Sequence, residues 1–154
     1  MKSFLLRILP LLAWLGIILI LSSIPRRYDF IPTWFWHSIY PWPPFNLFVS
    51  WEELLSASIH MGLFMGLAFF LARLIIRPGK FNRPLYFGVF ILVILISFGD
   101  EIYQRSIPER GFELNDLYMD TIGALIGLGL FLVWDRRSRL KDNRFPASQD
   151  DLTT

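Results

Sequence analysis

The sequence predicts an all-α membrane protein, a four-transmembrane-helix bundle with a long aromatic-rich extracytoplasmic loop between spans 1 and 2. Three observations carry this expectation: four long apolar stretches, a dense charged block between the last two, and a one-sided distribution of Lys and Arg. The chain has 154 residues, of which 54% are hydrophobic and 17% aromatic. Soluble domains of this length rarely show apolar runs approaching the ~20 residues that cross a ~30 Å hydrocarbon core. There is no cysteine, so disulfides, thiol nucleophiles and thiolate metal sites are excluded. The basic residues flank the apolar runs and do not alternate with aromatics in a patch, which argues against nucleic acid as a partner.

Span 1 is expected at residues 4–23. Lys2 and Arg7 precede a run that reaches Leu21, and Ser22-Ser23-Ile24-Pro25 offers no A-x-A-like cleavage site. The run therefore reads as a retained span and not as a cleaved signal. Pro10 lies in its first turns and is a candidate kink. Residues 25–53 contain five prolines and the stretch Trp34-Phe-Trp-His-Ser-Ile-Tyr-Pro-Trp-Pro-Pro-Phe. Trp and Tyr favour the headgroup region, so this segment reads as a loop lying on the bilayer surface.

Span 2 is expected at residues 56–76, ending at Arg77-Pro78-Gly79-Lys80, with Gly62 and Gly66 spaced for close helix approach. Span 3 is expected at 84–104, where Pro84 suits a first helical turn. Span 4 is expected at 116–134, with Gly123, Gly127 and Gly129 along it. Together residues 1–134 form one membrane domain, and 135–154 form a basic, polar tail. With the N-terminus cytoplasmic, eleven Lys and Arg fall on that side against four on the other, Arg26, Arg27, Arg105 and Arg110. By the positive-inside rule both termini are cytoplasmic.

Between spans 3 and 4 lies Gly99-Asp-Glu-Ile-Tyr-Gln-Arg-Ser-Ile-Pro-Glu-Arg-Gly-Phe-Glu-Leu-Asn-Asp-Leu-Tyr-Met-Asp-Thr-Ile-Gly123. Polar groups this dense beside hydrocarbon mark a functional or structural site. A rise of ~1.5 Å per residue, counted outward from each cytoplasmic end, brings Ser22 and Ser23, His60, Asp100, Glu101 and Gln104, and Asp116 and Asp120 to one depth near the outer boundary. Ser97, Glu101 and Gln104 share a face of span 3, and Asp116, Asp120, Gly123 and Gly127 share a face of span 4. The glycines predict that span 4 presses on a neighbour just below its acids, turning Asp120 into the bundle.

Each group also has a plainer role. Asp116 suits a helix N-cap, the serines suit helix ends, His60 suits a structural bond to Glu101 or Asp120, and Arg105 and Arg110 suit neutralisation of the acids. Asp120 is the hardest to set aside, because a carboxylate inside a span needs a partner.

The pattern Asp100-Glu101-x-x-Gln104, then Arg110, then Asp116 and Gly123 resembles the VanZ-like family of small four-span membrane proteins. Leu21-Ser22-Ser23 is similar to the end of that family's first span, and His60 to its span-2 histidine. Two departures stand out. Asp120 replaces the family's usual Asn, and Ser56 and Ala57 stand where relatives often carry Asp-Lys. The resemblance implies a bacterial inner-membrane protein with a cell-envelope role near peptidoglycan precursors, in a family associated with teicoplanin resistance.

Three functions fit these residues. One is a pocket for a membrane lipid headgroup or lipid-linked envelope precursor, built from His60, Asp100, Glu101, Gln104, Arg105, Arg110, Asp116 and Asp120. The second is an intramembrane hydrolase using Glu101 with His60. Glu101-x-x-x-Arg105 resembles part of the motif of CAAX-type intramembrane proteases, but those enzymes need further helix-borne histidines. The third is an internal polar network that fixes bundle geometry. No catalytic residue and no cofactor are assigned, and one span histidine with carboxylates at this spacing predicts no metal site.

Overall fold

The computed structural model describes residues 2–24, 51–76, 82–108 and 110–144. The expected aromatic loop lies largely outside these residues. Among them there are four helices and no strand: α1 (Lys2–Ser22), α2 (Trp51–Ile75), α3 (Arg83–Gln104) and α4 (Leu114–Arg144). All four are long and apolar enough to cross a membrane. The helix of α1 continues through Pro10. Pro84 sits in the first turn of α3, where a missing N–H costs no helical bond. Helix α4 does not stop at Trp134; it continues through the basic stretch to Arg144.

Helices α2 and α4 form the most extensive pairing in the bundle. They run parallel: Gly123 lies against the Met61 backbone, Gly127 against that of Met65, and Phe131 meets Phe69, each one turn further along both helices. A Cβ at Gly123 would strike the Met61 carbonyl oxygen, and one at Gly127 would strike that of Met65. Span 4 therefore presses on its neighbour just below its acids, as its small residues predicted, and the neighbour is span 2. Without a hydrophobic drive in lipid, such close backbone approach is what lets two spans gain van der Waals contact.

The other glycine pair behaves differently. Gly66 accommodates the Trp14 indole of α1, whose Nε1 donates to the Leu63 carbonyl at 2.7 Å. Gly62 has open space where a Cβ would be. The Gly62/Gly66 spacing is thus half used, and by an aromatic ring, not by a helix backbone.

Helix α3 runs antiparallel to α2 and α4 and closes over their polar ends, while α1 packs chiefly on α2. The apolar core runs from Leu11 and Ile18 through Phe64, Leu67, Ala68 and Leu71 to Val89, Val93, Ala124, Leu128 and Phe131. At the end away from the acids, Phe69 packs edge-on against Phe131 and Trp134, and Arg73 lies 5.7 Å over the Trp134 ring. Large apolar side chains such as Leu6, Phe87, Leu95 and Leu125 cover the outside of the bundle, the distribution that suits contact with lipid tails.

The glycine contact is directly testable. Gly127→Ala forces a Cβ onto the Met65 carbonyl and is expected to lower stability by about 1–3 kcal/mol, whereas Gly62→Ala is near neutral. Thermal unfolding of both variants in detergent checks this; equal midpoints would contradict the packing.

Candidate functional site

The buried polar side chains gather at one end of the bundle: Ser22 on α1, Ser56 and His60 on α2, Ser97, Asp100, Glu101 and Gln104 on α3, and Asp116 and Asp120 on α4. Among the described residues, only Asp135 is a buried charged or polar side chain elsewhere. The faces drawn from the helical period place them. On α3 the buried residues Val89, Val93, Ser97, Glu101 and Gln104 form one stripe, apolar at one end and polar at the other. On α4, Asp116, Asp120, Gly123 and Gly127 form the inward stripe.

Asp120 is fully buried and held twice. Its Oδ1 lies 3.1 Å from His60 Nδ1, and its Oδ2 accepts a hydrogen bond from Ser97 Oγ at 2.6 Å. On the other side of the imidazole, His60 Nε2 lies 3.4 Å from Asp116 Oδ2. One histidine on α2 thus stands between two carboxylates of α4. Asp116 is inside the first turn of α4, which begins at Leu114, and its side chain turns inward to His60.

Glu101 is also fully buried. Its Oε2 accepts the backbone N–H of Glu113 at 2.9 Å, which ties the α3–α4 connection to α3. Its Oε1 is buried without a hydrogen-bond partner in the protein. His60, Glu101 and Asp116, from three different helices, each offer a ligating atom within 4.8 Å of the others. Counting residues along the chain brought these three to one depth, but that their ligating atoms converge depends on how three spans are rotated against one another. Asp100 and Gln104 form a separate pair on α3, with Gln104 Nε2 donating to Asp100 Oδ2 at 2.6 Å.

The two arginines are not placed as acid neutralisers. Arg105 is exposed just past the end of α3. Arg110 lies on the connection between α3 and α4, and its Nη1 donates to the carbonyls of Ser22 at 2.7 Å and Leu21 at 3.3 Å, the last turn of α1. The guanidinium thereby satisfies carbonyls that a helix end leaves open. Its Nε is buried without a partner. Neither arginine pairs with a carboxylate among the described residues. Ser23 Oγ, 3.0 Å from the Tyr103 hydroxyl, links the end of α1 to α3 itself.

Ser97 and the Glu113 amide bond directly to the candidate acids but are not among the candidate residues. Ser97 was recoverable, since it lies one turn below Glu101 on the same face of span 3. The Glu113 amide carries no sequence signal, because any non-proline residue has one.

Fold and site define a multi-pass membrane protein with a polar cluster at one end of its bundle. The family model described as VanZ/LLP1 matches residues 7–135, and the chain belongs to that family. No curated protein and no solved structure matches it.

Asp120→Ala removes the partner of both His60 and Ser97. Leaving these two buried groups without their acceptor is expected to cost about 1–3 kcal/mol for each. Asp120→Asn keeps one acceptor and adds one donor at the same position, so its cost is smaller. Unfolding midpoints in detergent measure both; an Asp120→Ala protein as stable as the parent would remove the network from the account.

Proposed function

We propose that this VanZ/LLP1-family membrane protein binds an anionic lipid headgroup or a lipid-linked envelope precursor at the extracytoplasmic face of the bacterial inner membrane. In this reading both termini are cytoplasmic and the polar end of the bundle opens toward the outer leaflet. Binding there would affect envelope function, including tolerance to glycopeptides such as teicoplanin.

The observation that carries the reading is Arg110. It is a half-buried guanidinium with a free Nε, bonded to neutral carbonyls and to no acid among the described residues. A positive charge held this way is matched by an anionic group such as a phosphate, which takes charge-assisted hydrogen bonds from it. The lysine and arginine distribution supports the orientation. The Asp100–Gln104 pair supplies polar groups for sugar or amine parts of a headgroup. The His60–Asp120–Ser97 group is internally bonded and supports a structural role beneath the binding surface.

Mass spectrometry of lipids that co-purify with the protein tests the proposal. The parent is expected to enrich an anionic lipid or lipid-linked precursor. Arg110→Ala removes a charged hydrogen bond of about 1.5–3 kcal/mol and should reduce that enrichment roughly tenfold or more. An identical lipid profile in parent and variant would contradict it. Arg110→Ala cells with unaltered protein level and unaltered glycopeptide tolerance would remove the envelope role.

A further inference from the structure

We infer that His60, Glu101 and Asp116 hold a divalent transition-metal ion, with His60 Nε2 and one oxygen of each carboxylate as ligands. The inference goes beyond the headgroup reading and does not rest on it, since the three ligands are the protein's own.

The arrangement of His60 is the first support. Nδ1 faces Asp120, and an N–H there donates to the carboxylate. In the neutral imidazole the lone pair is then on Nε2, which lies 3.4 Å from Asp116 Oδ2. A lone pair facing a carboxylate in a buried site is repulsive unless a proton or a metal ion lies between them. A carboxylate that orients the far nitrogen of a ligating histidine is the usual support of a metal-bound imidazole. Ser97 holds that carboxylate in turn.

The distances agree. Two ligands ~2.1 Å from a tetrahedral ion are ~3.4 Å apart, and His60 Nε2 and Asp116 Oδ2 are separated by 3.4 Å. The Glu101 oxygen lies within 4.8 Å of the other two, a looser spacing that would have to close around an ion.

Glu101 Oε1 is the independent observation. Glu101 is fully buried, comes from a third helix, and carries an oxygen with no donor. A proton on His60 Nε2 would satisfy one carboxylate; a metal ion satisfies Nε2, Asp116 and Glu101 together. Charge points the same way. Glu101 and Asp120 are buried acids, and among the described residues neither Arg105, which is exposed, nor Arg110, which is bonded to the end of α1, pairs with them. One imidazole with two carboxylate oxygens suits Zn²⁺, Mn²⁺ or Fe²⁺ better than Mg²⁺ or Ca²⁺, which favour oxygen ligands throughout.

The test uses the full chain, tag-free in detergent and stripped with chelator. Zn²⁺ and Mn²⁺ are added alone by equilibrium dialysis, with Mg²⁺ as the comparison, and bound metal is counted per chain. The expected result is one equivalent of Zn²⁺ or Mn²⁺ and little Mg²⁺. Glu101→Gln, Asp116→Asn and His60→Gln should lose the equivalent, His37→Ala should keep it, and Ser97→Ala should bind about 10- to 100-fold more weakly. A parent protein that binds neither ion overturns the inference, as do ligand variants that elute like the parent and retain the full equivalent. Should those variants fail to fold, X-ray absorption of the Zn²⁺-loaded His37→Ala protein decides. One imidazole among light-atom ligands supports the site, and a spectrum without imidazole overturns it. Because no lipid is added, loss of lipid enrichment in Arg110→Ala and loss of metal in Glu101→Gln report on separate proposals.

Discussion

A carboxylate placed within a membrane span must be given a fixed partner, and the rest of this bundle follows from how Asp120 is given two. Its oxygens meet an imidazole from α2 and a hydroxyl from α3. Those bonds demand that α4 lie close to α2 and present the same face along its length. Gly123 and Gly127 supply that closeness by letting backbone meet backbone. The polar bonds and the small-residue contact therefore specify the same rotation of α4. Either alone would leave that rotation less defined, and agreement between the two favours one arrangement over its competitors.

The polar end is layered. Innermost is the His60–Asp120–Ser97 group, whose bonds are closed within the protein. Next come Asp116 and Glu101, converging on the same histidine from two other directions. Outermost is the α3–α4 connection, whose Glu113 amide grips Glu101 while Arg110 reaches across to the end of α1. The connection thus joins α1 to α3 through two hydrogen bonds, one from the Arg110 guanidinium and one to the Glu101 carboxylate. The interior layer fixes geometry, and the outer layers hold the atoms with unspent bonding capacity, Glu101 Oε1 and Arg110 Nε.

Much of this was legible in the sequence. The four spans follow from apolar runs of membrane length, and the polar faces of spans 3 and 4 follow from helical spacing. Counting residues from one side placed Ser22, His60, Glu101 and Asp120 together, and the structure has them at one end. Pair identities were harder. The sequence left open whether His60 would meet Glu101 or Asp120, and whether the arginines would meet the acids or a bound headgroup; in the structure Arg110 serves backbone carbonyls. Gly62 and Gly66 looked like a helix contact, yet Gly62 is open and Gly66 receives an indole. A one-dimensional pattern fixes which face of a helix is buried and at what height. It does not fix which neighbour that face meets, because that depends on the relative rotation of separate helices.

The central claim is that the His60 imidazole and the Asp120 carboxylate are bonded partners in the interior. A double-mutant cycle with His60→Ala, Asp120→Ala and the double variant, read as unfolding free energy in detergent, tests this most directly. Bonded partners predict a coupling of at least about 1 kcal/mol, within the ~0.5–3 kcal/mol found for residues in contact. Single-variant costs that simply add would contradict the account.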